Sequence, residues 1–551
     1  MNSPGRSASS AAQVAGPRPH MSESPTVANS ATWRTFLPLC VLVAGFIARL
    51  IPAWRLFLNP DEALHNLLAS QSSIGMAYRA ALTNAHPPLL ILVLYCWRHF
   101  GQSELWLRLP SVFAGTAACW LLHQWLKLVT DRATAFLGLL LAAFAPSLIS
   151  LSAEVRQYAL LLFFMTTCLY LSELAFQRQS ARLMILFSLS LYGALLTHYS
   201  ALVFALAIGV YFLARFYPFR SCKLFFVWAA GQAGGIALAL YFLLTHLPRL
   251  RRTGMAREGF DSYLQKSIYH PGGRNAVVFL AAQSLRVFTY LYSHGVVGAL
   301  VLLAFVAGVI WLLRQAEPEN HAGPSPRTLA LLLVVPFITC WGAALTGLYP
   351  LGATRHSAFL APFAITGACI GISRLIAVRE WIKQGTLLAG LALCNFFPAP
   401  PPLIHPQDQA GGRMHDAVAY LQAEAKPGAV FLADYESGLL LGYYVCGHGV
   451  VQIVRPLKPM AEAECGPYRV IATSDREWKF SAETIPNRLD DAARDFRLNS
   501  NAEVWIFYAG WINDSAPELT AKLVELGCTV PKKFGQNILA CRLKLDAATN
   551  H

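Results

Sequence analysis

The feature that most restricts the fold is a series of long apolar runs. They lie at about 35–54, 109–127, 133–152, 156–176, 183–198, 200–216, 223–244, 295–313, 329–348, 356–377 and 385–404. A helix needs about 20 such residues to cross the hydrocarbon of a bilayer, so about eleven spans are expected. Composition agrees, because 13% of the residues are charged, against about 25% in a soluble domain. The chain reads as a polytopic α-helical membrane protein. Its net charge of +14 does not signal nucleic acid, since the basic residues are scattered between apolar runs instead of gathered into one stripe.

One apolar stretch, "PLLILVLYCWRHF" (Pro88 to Phe100), is too short to span. Suppose it lies on the outer surface. Then Lys127/Arg132, Arg178/Arg182, Arg215/Arg220/Lys223, Arg314/Arg327 and Arg374/Arg379/Lys383 all fall on the cytoplasmic side, where Lys and Arg collect. If it crosses, most of these groups flip outward. The surface placement is therefore expected, within a first outer loop of about 55–108.

Residues 1–34, rich in Ser, Ala and Pro and carrying Arg6, Arg18 and Arg34, are expected to form a disordered cytoplasmic tail. Residues 35–404 make the membrane domain, and from 405 to 551 the texture changes to a small α/β domain placed outside. There "MHDAVAYLQAEA" reads as an amphipathic helix, "RVIATS" and "EVWIFYAG" as buried strands, and "APELTAKLVELG" as a helix ended by glycine. Its cysteines, Cys446, Cys465, Cys528 and Cys541, permit disulfides in an oxidising compartment, with buried thiols as the alternative.

With this parity the polar clusters gather on the outer face. "NPDEALHN" (Asn59 to Asn66) and "NAHPPL" (Asn84 to Leu89) bring Asp61, Glu62, His65 and His86 into the first loop. Glu154 and Arg156 lie in the next outer turn, His198 and Tyr199 in a third, and Arg355 and His356 in the last. A long basic loop, 245–294, carries Arg249, Arg251, Arg252, Arg257, Lys266 and Arg274. A local account of "PDEALH" is a helix start, with Asp61 as cap and Glu62 favoured by the positive end of the dipole. It leaves the recurrence of acid, arginine and histidine at successive turns unexplained, and ionisable groups at a membrane boundary are costly and usually functional.

A carboxylate in that position can take the proton of a hydroxyl as the oxygen attacks carbon. If the carbon is anomeric and a phosphate leaves, one displacement inverts configuration. The leaving phosphate needs cations, which Arg156, Arg355, His356 and the basic loop supply. No P-loop is present, and a polyprenyl-phosphate sugar is the donor that suits the outer face.

These residues resemble a known family. "PDEALHN…NAHPPLL" is similar to the first outer loop of type C glycosyltransferases, the protein O-mannosyltransferases and the bacterial aminoarabinose and Rgt-type transferases. "LWLRLPSVFAG", "SAEVRQYALLLFF", "THYSAL" and "YPLGATRHSAFLAPF" resemble bacterial members in the same order, over about 35–404. The resemblance implies that Asp61 is the catalytic acid with Glu62 beside it. It places Glu154 near the acceptor or donor sugar and Arg355 near the lipid phosphate, and it implies surface helices in the first outer loop; by position His65, His86, His198 and Tyr199 are further candidates for the sugar, and Arg156 and His356 for the phosphate. It implies an inner-membrane enzyme transferring a single pentosyl or hexosyl unit to a periplasmic glycan, lipid or protein, in lipopolysaccharide or envelope glycan synthesis. "HPPLLI" departs from the eukaryotic pattern, which carries a lysine after HPPLG, and this weighs against protein mannosylation.

Other readings stay open. His198 and Tyr199 also fit plain bundle hydrogen bonding and an interfacial aromatic belt, as does Tyr158. Arg98 and Arg108 are expected to meet headgroups, and His270 sits in a turn. No motif calls for a cofactor. Zinc is associated with some relatives, yet His65 and His86 qualify as ligands of a divalent metal only if folding adds a third donor. A transporter or flippase of a lipid-linked sugar is the main alternative, though transporters concentrate ionisable groups at the bilayer midplane. A non-catalytic scaffold leaves the outer carboxylates without a role.

Overall fold

A computed structural model of the chain describes residues 26–216, 222–252, 264–273, 275–316, 323–397, 411–447, 460–473, 480–499, 502–509, 517–528, 531–535 and 538–545. The expected tail up to residue 25, the expected domain boundary near 405, and Arg257 and Arg274 of the basic loop lie outside the described residues. The first helix, Thr26–Arg55, begins inside the stretch read as tail.

The fold is that of a polytopic helical membrane protein. Among the described residues seven helices are long and apolar enough to cross a bilayer: Phe36–Arg55, Glu104–Val129, Gln157–Arg178, Cys222–Leu250, Gly295–Arg314, Pro326–Leu345 and Arg355–Leu375. A bent pair, Arg132–Ala143 and Pro146–Ser152, makes an eighth if its 59° break lies within one span. The apolar runs at 183–198, 200–216 and 385–404 fall instead on helices of 15, 16 and 17 residues. Such helices rise about 22–26 Å at 1.5 Å per residue, short of a hydrocarbon core of about 30 Å. With the bent pair and these three, each of the eleven expected runs falls on a helix among the described residues, and seven of those helices have spanning length by themselves. The stretch at 88–100 is a helix of nine residues, Leu89–Trp97. Trp97 stacks on Trp106 at 5.1 Å and donates to its carbonyl at 2.8 Å.

The break in the bent pair has a local cause. Pro146 has no N–H for the carbonyl of Ala142, so the first helix ends. Arg49, buried at 1% exposure, supplies what is missing. Its guanidinium donates to the carbonyls of Ala142 at 3.1 Å and Ala143 at 2.8 Å. Backbone interrupted at membrane depth is tolerated when buried partners satisfy it in this way. Elsewhere close helix approach needs small residues: a Cβ on Gly308 would collide with the carbonyl of Gly367, a small-residue contact of the kind that drives helix association in lipid.

The last part of the chain carries a six-stranded sheet. Its strands are β1 (Val430–Ala433), β2 (Met460–Cys465), β3 (Tyr468–Thr473), β4 (Glu503–Ala509), β5 (Lys532–Phe534) and β6 (Ile538–Lys544), in the order β2-β3-β1-β4-β6-β5. β1 pairs in parallel with β3 and β4, and the outer pairings are antiparallel. "RVIATS" and "EVWIFYAG" contribute to β3 and β4. Alternate side chains leave a strand on opposite faces. Val430 and Leu432 thus join Ile485, Leu489, Leu519 and Leu523 on one side.

Phe431 and Ala433 join the other side, where the core runs on into Phe57, Ala63, Leu67, Leu94 and Val155. The sheet and the first polar loop of the bundle therefore share one hydrophobic core. The helix Tyr435–Tyr444 clamps that joint. The Tyr444 hydroxyl accepts from the Leu58 N–H at 2.9 Å and donates to the Glu104 carboxylate, and Tyr443 donates to the Gln102 carbonyl at 2.7 Å. Disulfides Cys446–Cys465 and Cys528–Cys541 take all four cysteines beyond residue 404, while the other eight remain free.

Candidate active site

The helix Pro60–Ala69 opens the site. Asn59 is its cap, in a reciprocal box: its side chain accepts from the Glu62 N–H, and the Glu62 carboxylate accepts from the Asn59 N–H. The spacing of a polar cap three residues before a glutamate produces this arrangement. Asp61 is therefore not the cap, contrary to the local account, and its carboxylate is released to point elsewhere.

Glu62 is fully buried and fully engaged. Besides the Asn59 N–H it accepts Arg108 Nε and Nη2, each at 2.7 Å, and the Val155 N–H at 2.8 Å. Arg108, expected at headgroups, is 1% exposed. It also donates to the carbonyls of Ala53 at 3.0 Å and Phe57 at 2.9 Å. A planar fork with five donors suits this task, and a buried ion pair is tolerable only when such extra bonds satisfy both partners. The pair locks the end of the first helix, the start of the second and the loop 153–156 together.

Asp61 lies on the open side of that lock. Its Oδ2 accepts from Arg156 and, at 3.2 Å, from Arg355. Burial alone would raise its pKa. The guanidiniums of Arg156 and then Arg355 overcome that effect and hold the carboxyl at about 2. Glu154 meets the same guanidinium from Arg156 Nε at 3.8 Å, with 23% of its side chain exposed. Here burial, then the charge of Glu62, dominates and pushes the pKa above the usual glutamate value despite the cations.

Histidines form the next wall. His65 contacts the Val155 carbonyl through Nδ1 at 2.9 Å, and burial followed by the Arg156 charge lowers its pKa to about 4. His86 stacks on His198 with ring centres 4.9 Å apart. His356 lies 5.8 Å from His198 and 6.4 Å from His86. Tyr158, read as an interfacial aromatic, is instead buried among these three rings at 5.3–6.5 Å. The Ser200 N–H donates to His198 Nδ1 at 3.0 Å, so a neutral ring carries its proton on Nε2. Burial and the charges of Arg355 and Arg156 lower the His198 pKa to about 3. His198 Nε2 and His356 Nε2 are buried without a hydrogen-bond partner among the described residues. Buried polar atoms are normally paired, so these two mark where a polar guest would fit.

Tyr199 stands one layer back. Its hydroxyl bonds His246 Nδ1 at 2.6 Å, and His246 Nε2 meets the Asn84 carbonyl at 2.9 Å. The chain of bonds braces the loop that carries His86. Neither His246 nor Tyr290, which lies within electrostatic reach of Glu154, Arg355 and Arg156, stood out in the sequence. Both sit in apolar helices where an aromatic reads as packing. His270 is exposed and takes no part in the cluster.

The other candidates, Asp61, Glu62, His65, His86, Glu154, Arg156, His198, Arg355 and His356, converge at one end of the bundle. Among the described residues no group of three or more His, Cys, Asp and Glu side chains is disposed to hold a metal ion. His65, one of the two histidines named as a candidate ligand, has its Nδ1 turned to the Val155 carbonyl.

Residues 85–247 match the family model described as dolichyl-phosphate-mannose-protein mannosyltransferase. No curated protein matches the sequence. Among solved structures the chain is similar to ArnT from Cupriavidus metallidurans. The apo form aligns at 13% identity, covering 95% of this chain and 100% of that one, with a TM-score of 0.51. The form bound to undecaprenyl phosphate aligns at 13% identity over 93% and 98%, with a TM-score of 0.53. At such identity the likeness establishes the fold.

Proposed function

We propose that this chain, a membrane glycosyltransferase of the lipid-phosphate-dependent type by its family match and its fold, moves one sugar from a polyprenyl phosphate to an acceptor hydroxyl. The observation that carries the reading is the Asp61 carboxylate held between Arg156 and Arg355, with Glu154 against the same guanidinium. The acceptor oxygen bonds to the anomeric carbon as the bond from that carbon to the phosphate oxygen breaks. The bonding pair leaves on the phosphate, and configuration inverts. Arg156 and Arg355 neutralise the charge that develops there, and preorganised cations of this kind supply much of an enzyme's rate enhancement. His198 and His356 offer their unpaired Nε2 atoms to the sugar or phosphate. Asp61 and Glu154 are the carboxylates at hand for the proton, while Glu62 fixes the frame.

The site faces the periplasm of a bacterial inner membrane in this reading. Two disulfides in the sheet region fit an oxidising compartment, and that sheet shares its core with the Asp61 helix. The acceptor is read as lipopolysaccharide or another envelope glycan or glycolipid; a protein hydroxyl is the second reading, favoured by the family description. The test is mass spectrometry of lipid-linked sugars and envelope glycans in cells with and without the gene. An accumulated polyprenyl-phosphate sugar together with one glycan lacking a residue is expected. Unchanged pools of both would refute the reading.

A further inference from the structure

The Asp61 carboxylate serves the site only where Arg156 and Arg355 meet, and both cations come from other segments of the chain. Its place is therefore set by the backbone that leads into its helix. That backbone is the connection 56–59 between Thr26–Arg55 and Pro60–Ala69. Lying outside both helices, it needs other partners for its buried polar groups. The Leu56 and Phe57 carbonyls accept from Arg108, and the Asn59 N–H donates to Glu62 at 2.9 Å. Leu58 is completely buried, and its N–H donates to the Tyr444 hydroxyl at 2.9 Å.

Tyr444 reaches Leu58 across 386 positions, from the end of the helix Tyr435–Tyr444 in the sheet region. Its hydroxyl also donates to the Glu104 carboxylate, in the first turn of Glu104–Val129. That helix carries Arg108, so the phenol ties together the same two segments as the Glu62–Arg108 pair, at a second point. The helix behind the phenol is itself held. A Cβ on Gly442 would stand 3.1 Å from Leu67 Cδ1, so Tyr435–Tyr444 lies close against the Asp61 helix. Two residues beyond Tyr444, the disulfide from Cys446 pins the chain to Cys465, the last residue of β2.

We propose that Tyr444 is a positioning residue for the sugar transfer, a hydroxyl from the sheet region that fixes the backbone entering the Asp61 helix. The role rests on the glycosyltransferase reading above and gives the sheet a part in turnover. Tyr444 acts through Leu58, three residues before Asp61, and is not asked to touch substrate.

Position, more than stability, is what this hydroxyl supplies. The joint is also held by the core in which Phe431 and Ala433 meet Phe57, Ala63 and Leu67, and by the Glu62–Arg108 pair. Tyr444→Phe keeps the ring and both of those ties, and takes the acceptor from one buried amide. A buried amide is rarely left unpaired, so the Leu58 N–H turns to another partner and the backbone before Asp61 shifts with it. Turnover is sensitive to such shifts, since a misplacement of about 1 Å lowers it on the order of 100-fold. Arg156 and Arg355 meet the phosphate from other segments, so phosphate binding is spared.

The full chain, purified in detergent, is read in two ways. Affinity for undecaprenyl phosphate reports the phosphate site. Rate is measured in a detergent extract of membranes from cells lacking the gene, which supplies the accumulated donor and the unfinished acceptor. The finished acceptor is followed by mass spectrometry, per folded molecule of added protein. Tyr444→Phe is expected to lower the rate about 10- to 100-fold and to leave the affinity within about twofold. Tyr443→Phe loses the bond to the Gln102 carbonyl at the same joint, and its rate should match wild type. Should Tyr444→Phe not fold, adding Glu104→Gln removes the carboxylate left without its donor, and the double variant should fold and show the same loss. A wild-type rate in either Tyr444 variant, or an equal loss in Tyr443→Phe, overturns the positioning role alone. Wild-type protein that finishes no acceptor overturns the transfer reading, and the role with it.

Discussion

One helix, Gln157–Arg178, carries a buried charge cluster at each end, and the two behave differently. Near its C-terminus Glu173, fully buried, accepts from the Tyr211 hydroxyl on one oxygen and from Arg215 at 3.5 Å on the other. Arg215 donates in turn to the Gly323 carbonyl at 2.7 Å and lies over the Phe176 ring at 4.8 Å. Each carboxylate oxygen has a partner inside the protein, and the acid is shut from solvent. At the N-terminal end Arg156 meets two carboxylates that stay about a quarter exposed, and imidazole nitrogens nearby lack partners. The same residue types make a structural tie where the carboxylate is shut from solvent with both oxygens taken, and a candidate site where the carboxylates stay partly exposed.

Three substitutions sharpen or break this contrast. The largest effect is expected of Asp61→Asn. Removing the charge that holds Arg156 and Arg355 should cut sugar transfer on the order of 1,000-fold, the scale of losing a preorganised electrostatic contact. The unfolding temperature in nanodiscs should stay within a few degrees of wild type, because the capping box and the Glu62–Arg108 pair remain. Full turnover in the variant would sink the view of Asp61 as part of the catalytic machinery.

Glu173→Gln should show the reverse pattern. It strands the buried Arg215 charge, which costs about 3–5 kcal/mol, while turnover per folded molecule is unchanged. Thermal shift and active-site titration read the two quantities separately. Replacing both partners, Glu173→Leu with Arg215→Met, should recover most of the stability. Equal losses of turnover at the two ends would erase the distinction between them.

The smallest effect concerns pH. His65 and His198 have folded pKa values of about 4 and 3, below the ordinary 6.5. The unfolded chain therefore binds protons first as pH falls, and stability that is whole above 6.5 is lost progressively on descent toward the folded values. Each histidine contributes a slope of up to about 1.4 kcal/mol per pH unit. His198→Gln should flatten the decline of unfolding temperature between pH 6.5 and 5. Asp61 adds nothing in that window, since its contribution fades only below about pH 4. An unchanged slope in His198→Gln would show that this ring is protonated in the folded state.

Much of the site was legible because the sequence concentrates ionisable residues at the ends of apolar runs. Composition alone forces that arrangement: a charge within lipid is costly, so those retained cluster where helices end and are turned to use. The misreadings have a common cause. Arg108 looked like a headgroup contact, Tyr158 like a belt aromatic and Asp61 like a cap, because each fits the immediate sequence. Burial, which comes from distant segments, reassigned the first two, while Asn59, two residues earlier, took the cap from Asp61.

Sequence by itself determined that the chain enters the membrane many times, that its acids and bases gather at helix ends, and that a mixed αβ segment follows. Those properties are local, set by hydropathy, periodicity and caps within a few turns of helix. Only the tertiary structure decided which carboxylate is spent on the frame and which is held between guanidiniums. Arg355 reaches Asp61 across 294 positions and Arg108 reaches Glu62 across 46. The availability of a lone pair depends on every donor that folding brings within 3 Å or so of it, and no local pattern encodes that sum.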